Sequence, residues 1–234
     1  MIKSWGKKNV INFYNLNRDN VKDLYLSESI LLKKINKKLI KNILDFGCAV
    51  GNFNKIFKIF FNKKINYTGI DHNMDCIKLA KKKFPGSKFY LSSDLKKFRN
   101  KNFDLIFSTG TLHHIKIYKK IIIQMIKSSN RYVFIDCPRL VNSKNQIVKM
   151  DLSKRFSDNS TSVDTNYVSY YLCNKKNFIN FLKKICSNYG VYIYFGVLNY
   201  NKKYLKTNKK IYFCTILIDK KSKSFYKVLS NHEK

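Results

Sequence analysis

Carboxylates are scarce in this sequence, 14 against 47 Lys and Arg, so their positions carry weight. Four of them, Asp45, Asp71, Asp94 and Asp104, stand at or beside the ends of apolar, strand-like runs. The first opens Asp45-Phe46-Gly47-Cys48-Ala49-Val50-Gly51, which leaves one such run and leads into a helical pattern. Glycine at that point lets the backbone turn tightly and meet a ligand with no Cβ in the way. The helix behind it offers unpaired N–H groups. Asp71 follows Gly51 by twenty residues and ends the next apolar run. A carboxylate so placed can accept both hydroxyls of a ribose. Turn and distal acid together predict a nucleoside-containing ligand lying across the switch point of an open sheet.

Charge decides which nucleoside. A dinucleotide fingerprint needs G-x-G-x-x-G and lays a pyrophosphate on the helix N-terminus. The corresponding positions here are Gly47, Ala49 and Asn52. Asp45 would also set a carboxylate beside that diphosphate, which is repulsive. S-adenosylmethionine carries no phosphate, and its sulfonium and α-ammonium tolerate or favour a nearby carboxylate. The acid at position 45 therefore selects S-adenosylmethionine over NAD. Further along, Thr111-Leu112-His113-His114-Ile115 places two imidazoles after a strand. Either could take a proton from an attacking hydroxyl; equally, the run could begin the next helix with one His capping or packing. Six Cys are scattered with no C-x-x-C and no His at zinc spacing, so no metal site and no disulfide framework is expected.

These groups need a scaffold, and the pattern supplies one from Asn42 onward. Strands are predicted at Ile43–Phe46, Tyr67–Ile70, Phe89–Leu91, Phe103–Phe107 and Tyr132–Ile135. Helices fall between them at Phe53–Phe61, Met74–Phe84 and Ile117–Ile126, with Phe53, Ile56, Phe57 and Phe60 on one face of the first. Alternation of this kind argues for a parallel sheet covered on both faces. Val191–Leu198 and Ile211–Ile218 read as a closing hairpin around a basic turn, giving about seven strands with the last pair breaking the parallel order. Asp19–Leu39 reads as an amphipathic helical segment with Leu24, Leu31, Ile35 and Leu39 near one face, and with Tyr25 and Glu28 sharing a helix face. Arg139–Tyr171 is polar and irregular and gives way to a helix from about Lys175 to Ser187.

With these residues in view, the sequence resembles a class I S-adenosylmethionine-dependent methyltransferase, over residues 40 to 137 and again at the hairpin, in the manner of small-molecule and surface-saccharide-associated members. The resemblance implies a Rossmann-like α/β fold, with residues 1–40 as a helical lid and 41–234 as the methyltransferase domain. It implies that Asp45, Gly47 and Gly51 belong to the acid-x-Gly-x-Gly-x-Gly motif cupping the methionine end of the cofactor, with Cys48 inside it and Ala49 at the usual middle glycine. Asp71 matches the ribose-binding acid, and His72 would edge the adenine. Asp94, followed by Leu95, matches the acid that receives the adenine amino group. Ser108 ends the strand that faces the reacting methyl, whereas Asp104 is expected to be structural. For the imidazoles the resemblance prefers His114 to His113 as a base. The insertion at about 139–171 would shape the acceptor pocket, with Arg139, Arg155, Tyr167, Tyr170 and Tyr171 as candidates for anionic or sugar-like substrates.

Composition bears on the partner. The formal charge of +33 invites a nucleic-acid reading. Yet only five of the basic residues are Arg and the Lys are spread along the chain, as an AT-rich coding bias would leave them. Ser108-Thr109-Gly110-Thr111 lacks the Asp/Asn-Pro-Pro-aromatic pattern typical of base-amine methylation, and Cys137-Pro138 has the order reversed from that of a pyrimidine-attacking cysteine, leaving a buried thiol. The longest apolar stretch, Gly190–Leu198, is under half of the roughly 20 residues a membrane helix needs, and the start of the chain shows no apolar export segment. The expectation is a cytoplasmic enzyme acting on a small molecule or glycan precursor. An RNA or protein methyltransferase and an inactive cofactor-binding partner subunit are the alternatives, and the oligomeric state is left open.

Overall fold

The computed structural model describes residues 8–62, 64–98, 102–136, 138–151, 167–199, 205 and 207–229. Five parallel strands form its centre: β1 (Asn42–Phe46), β2 (Asn66–Asp71), β3 (Lys88–Leu91), β4 (Phe103–Thr109) and β5 (Ser129–Asp136), in the order β3-β2-β1-β4-β5. Runs such as Phe103-Asp104-Leu105-Ile106-Phe107 form strands buried on both faces, as parallel sheets require. Leu44, Phe46, Ile106, Val133 and Ile135 face α5 (Tyr118–Ser128) and α6 (Lys175–Ile185), while Ile43, Leu105, Phe107 and Phe134 face α2 (Leu26–Leu32), α3 (Phe53–Phe61) and α4 (Met74–Lys83). Successive side chains thus alternate between two cores. On the second face Phe107 lies 4.5 Å from Phe53, 4.8 Å from Phe57 and 5.0 Å from Phe134, ring centre to ring centre, which seats the helix that follows the glycine turn.

The helices end where the sequence tells them to. Asn73 caps α4, its Oδ1 accepting from the amides of Asp75 (2.9 Å) and Cys76 (3.1 Å). Asn62 closes α3 in the left-handed region at φ 49°. At the far side β9 (Gly190–Val197) and β10 (Tyr212–Asp219) pair antiparallel, β10 against β5, so the expected hairpin is present. Beyond it β11 (Phe225–Leu229) adds to β9 in parallel.

The sheet has eleven strands among the described residues where seven were expected, and most of the excess lies in the stretch read as irregular. β6 (Arg139–Val141), β7 (Gln146–Asp151) and β8 (Tyr167–Asn174) extend it past Pro138, with β6 parallel to β8 and β8 antiparallel to β7. Val168, Tyr170 and Leu172 alternate inward there, packing with Val141, Met150, Leu205 and Ile211 in a third small core. The polar residues that masked this pattern lie on the opposite face of the strands. Arg155 lies outside the described residues, as do Cys137 and most of the basic turn.

The N-terminal arm also differs from one amphipathic helix. It comprises α1 (Lys8–Leu16), a single turn at Val21–Asp23, α2, and another turn at Lys37–Leu39. Asn20 and Asn36 each bond the second amide downstream, and this local bonding breaks the helix. Leu31 and Ile35 are buried, but Leu39 is exposed and Tyr25 precedes α2 as an exposed cap, so Tyr25 and Glu28 do not share a helix face. Among the described residues no helix is long and apolar enough to cross a membrane.

Candidate functional site

A cavity of about 1070 Å3 opens where the strand order reverses between β1 and β4. That is the top of the range of roughly 300–1,000 Å3 found for small-molecule sites, with space for two reactants side by side. Three walls meet there: the turn after β1 with the end of β2, the N-terminal arm, and the tips of β5 and β10 with the β6–β8 extension.

The first wall is set by backbone. Gly47 and Gly51 have φ of 80° and 79°, and Ala49 between them adopts 46° in spite of its methyl group. A Cβ at Gly47 would collide with the Thr111 side chain, and one at Gly51 would come within 2.7 Å of the Phe89 ring. Four of the turn's amides are already taken: Gly47 and Cys48 donate to Ile70 O (2.8 and 3.1 Å), Ala49 to Asp71 Oδ2 (3.0 Å) and Gly51 to Cys48 O (2.9 Å). Such a turn has little left to give a phosphate. Asp71 Oδ1 accepts from the Asn73 amide (2.9 Å) and lies 3.4 Å from His72 Nδ1. Each Asp71 oxygen keeps a further lone pair, enough to receive two adjacent hydroxyls.

The second wall is Arg18. Its Nη2 donates to the wholly buried Glu28 carboxylate, and its guanidinium lies 4.3 Å from the Tyr25 ring centre and 5.0 Å from that of Phe53. Nη1 reaches Thr109 Oγ1 at 3.5 Å, and Nε is buried with no hydrogen-bond partner among the described residues. Burial raises the Glu28 carboxyl above its ordinary range, opposed by the attraction of Arg18. The buried Glu28 thus holds a cation in the cavity wall.

The third wall is a side-chain network. Asp136 ends β5 and accepts both Arg139 terminal nitrogens, at 3.0 and 3.1 Å; Arg139 Nε donates to Tyr170 Oη at 3.2 Å. Both members of that ion pair are buried, so the charge is matched within the protein. The single turn Leu112–His114 stands apart from α5 and packs its imidazoles against Tyr170, tilted and edge-on, with ring centres at 4.7 and 5.5 Å. His114 Nδ1 lies 2.8 Å from Ser169 O. A carbonyl only accepts, so Nδ1 carries the proton and the neutral ring has its basic lone pair on Nε2. Apolar groups including Ile117, Ile121, Met150, Leu198, Leu205 and Phe213 complete this wall.

Of the residues singled out from the sequence, Gly47, Cys48, Ala49, Asp71, His72, His113 and His114 line the cavity together. Asp45, Gly51, Asp94, Leu95 and Ser108 do not line it. Asp45 points into the core and accepts from Tyr67 Oη; burial pushes its carboxyl up to about 7, the Tyr67 hydrogen bond drawing it down and Asp71 adding to the rise. Gly51 shapes the turn from behind. Asp94 is exposed and receives the Lys96 amide at 2.9 Å, while its neighbour Ser93 lines the cavity. Leu95 is core, and Ser108 donates to Phe46 O at 2.9 Å, tying β4 to β1. Asp104 accepts from the Lys41 and Asn42 amides at the opposite end of β1, in the structural place expected for it. Tyr170 and Arg139 reach the cavity; Tyr167 and Tyr171 do not. Sequence reasoning passed over Arg18, Asn52 and Asp136. Asp136 had a visible signal, since it ends an apolar strand as Asp45 and Asp71 do. No group of three or more His, Cys, Asp or Glu among the described residues could hold a metal ion.

Residues 44–133 match the family described as Methyltransferase domain. No curated protein matches the sequence. Among solved structures the chain is similar to the O-methyltransferase of a trans-AT polyketide synthase multienzyme of Brevibacillus brevis, bound to S-adenosyl-L-homocysteine: TM-score 0.54 and 15% identity, covering 81% of this chain and 69% of that one. A putative methyltransferase of Bacillus halodurans C-125 gives 0.55 at 10% identity, covering 83% and 98%. An S-adenosylmethionine-dependent methyltransferase of Mesorhizobium loti gives 0.53 at 12%, covering 84% and 99%. At these identities the likeness is one of fold.

Proposed function

We propose that this chain, matching a methyltransferase domain at residues 44–133, works as a class I S-adenosylmethionine-dependent methyltransferase whose cavity takes the cofactor over β1 and β2 and a neutral small-molecule acceptor against β5, β10 and the β6–β8 extension. The observation that carries the cofactor's placement is the pairing of a turn that has four of its amides already bonded with Asp71 at one end and the buried, under-used Arg18 Nε at the other. Those groups suit a ribose diol, a cationic centre without phosphate and a carboxylate. Asp71 would hold the ribose and His72 would lie along the adenine. Gly47, Cys48 and Ala49 would pass under the methionine end, and Arg18 would receive its carboxylate. In this reading Asp45, Gly51 and Ser108 brace the turn from behind, and Asp94 and Leu95 fix the loop that carries Ser93.

The cofactor supplies an already activated methyl group. The protein's part is mainly positioning in a site that excludes water. Where the acceptor is a hydroxyl, His114 Nε2 takes its proton, and the hydrogen bond from Nδ1 to Ser169 O steadies the resulting imidazolium. His113 packs beside it. Asp71 at the end of β2 and Asp136 at the end of β5 are three strand spacings apart, about 14 Å, which leaves both reactants room to lie over the sheet. Because Asp136 matches the charge of Arg139 and the remaining wall is largely apolar, an uncharged acceptor suits it better than a phosphate or a nucleic acid. Residues 1–40 act as the lid, and the extension beginning at Arg139 shapes the acceptor pocket.

The test is to incubate the protein with methyl-labelled cofactor and fractionated cell extract. Label is expected in the small-molecule fraction. Label confined to RNA or protein would transfer the function to the macromolecular alternatives, and no label in any fraction despite cofactor binding would mark an inactive partner subunit.

A further inference from the structure

Asn52 follows the last glycine of the turn and occupies the cap of α3, a position that Asn usually holds by bonding its own helix. It makes no such bond. Its Nδ2 instead donates to Tyr14 O at 2.7 Å and Asn17 O at 3.0 Å, the carbonyls at the C-terminal end of α1. Its Oδ1 accepts from Lys83 Nζ at 2.7 Å, and the same Nζ donates to Asn15 Oδ1 at 2.9 Å. Lys83 is the last residue of α4, so three separate elements meet at one side-chain amide. Asn17 closes the arm from its own side, Nδ2 donating to Phe13 O at 2.8 Å. The next residue, Arg18, is held at φ 58°, a region a non-glycine residue enters only under constraint. A lysine at the C-terminal end of α1 also complements the partial negative charge of its carbonyls.

We infer that Asn52 and Lys83 are positioning residues that clasp the end of α1 to the glycine turn and so force the left-handed backbone that delivers the Arg18 guanidinium into the cavity, where it meets the carboxylate of the cofactor. The inference rests on the placement of the cofactor argued above. The clasp gives one residue two duties: Asn52 ends the turn that passes under the cofactor and fixes the arm that covers it. Loss of the clasp lets the Arg18 backbone relax and loosens the set of its guanidinium, which Glu28, Tyr25 and Phe53 still hold from the other side. Cofactor affinity should therefore fall without being abolished.

Asn52→Asp tests this with an isosteric change. It keeps the acceptor for Lys83 but removes both donors and turns an anionic oxygen toward two carbonyls. Calorimetric titration with S-adenosylhomocysteine should show affinity about tenfold weaker than the wild type, within the coupling range of residues in one network. In an Arg18→Ala background the same substitution should change affinity by less than about twofold, because the residue it positions is gone. Lys83→Ala, at a half-buried site, should weaken binding about threefold, and Lys83→Arg should restore it. Thermal unfolding of each variant establishes that it is folded. Equal affinity of folded Asn52→Asp and wild type overturns the clasp, as does a full tenfold loss in the Arg18→Ala background, since that marks Asn52 as merely structural. If the wild type itself fails to bind S-adenosylhomocysteine, the cofactor placement falls, a result distinct from either.

Discussion

The two ends of the cavity are built in different ways. At the β1–β2 end the ligand-facing surface is largely a backbone turn, with three positive-φ conformations over five residues, whose amides donate to Ile70 O and the Asp71 carboxylate of β2. At the β5–β10 end it is side chain, and its parts come from far along the chain: Asp136, Arg139 and Tyr170 in one network, with Leu205 and Phe213 beside it. A surface made of backbone constrains sequence tightly at a few adjacent positions and nowhere else. One made of side chains can be rebuilt residue by residue. The first arrangement suits a ligand that never changes and the second suits one that varies between relatives, which is the division of labour expected between a cofactor and an acceptor.

If the two ends are separable, substitutions should divide cleanly between turnover and affinity. The largest effect is expected at the acceptor end. His114→Ala should lower kcat by about 100-fold or more, in the range for a general base, with S-adenosylhomocysteine affinity within about twofold of wild type. A fall in affinity with kcat preserved would make His114 a packing residue and blur the comparison.

The next prediction concerns the brace under the turn. Asp45 titrates near 7 in the folded protein and near the ordinary carboxylate value when unfolded. Below about pH 4 both states hold the proton and stability is complete. Between about pH 4 and pH 7 the unfolded chain has released its proton while the folded chain keeps it, and stability drains away, by about 4 kcal/mol for this one carboxyl. Urea unfolding from pH 4 to pH 8 should show that loss. Asp45→Asn, which can still accept from Tyr67, should flatten the slope and be more stable than the wild type at pH 8. A wild-type curve that rises over the same interval would mean the carboxyl is ionised in the fold.

Smaller again is Asp71→Asn, expected to weaken S-adenosylhomocysteine binding by about 10- to 100-fold through loss of charged hydrogen bonds, with acceptor KM unchanged. The smallest is Ala49→Gly. Relief of the left-handed strain, about 1–2 kcal/mol, exceeds the entropic cost of a glycine, about 0.5–1 kcal/mol, so stability should rise by about 0.5 kcal/mol in denaturant melts. A loss of stability would mean that the methyl group has a packing role.

The same contrast governs how much could be read from the sequence. The strands and helices from β1 to β5 were legible because their signal is local: an apolar run, a glycine and an acid, as in Asp71 ending β2 before α4. α6 and the β9–β10 pair were legible for the same reason. The β6–β8 extension was not. Tyr167-Val168-Ser169-Tyr170-Tyr171-Leu172 alternates inward only once Val141 and Ile211 are known to lie beneath it, and its outward residues are polar enough to read as a loop. Within the site, Gly47, Ala49 and Asp71 were found because they sit on one short stretch or at a fixed spacing from it. Arg18 was missed because its importance depends on contacts with Glu28, Thr109 and Phe53, which folding alone brings together. Asp45 was assigned to the ligand on its place in a motif, yet Tyr67 takes its carboxylate into the core. Spacing identifies an element's end but does not say to which side of the sheet the last carboxylate turns.

The central claim is that a phosphate-free nucleoside bearing an amino-acid tail occupies the β1–β2 end, held between Asp71 and Arg18. Isothermal titration of the full chain with S-adenosylhomocysteine, repeated in the presence of excess NAD, tests it most directly. The account predicts saturable binding of one molecule per chain, undiminished by NAD, and lost in the Arg18→Ala, Asp71→Asn double variant. No binding to the folded wild type, or displacement of the ligand by NAD, would contradict it.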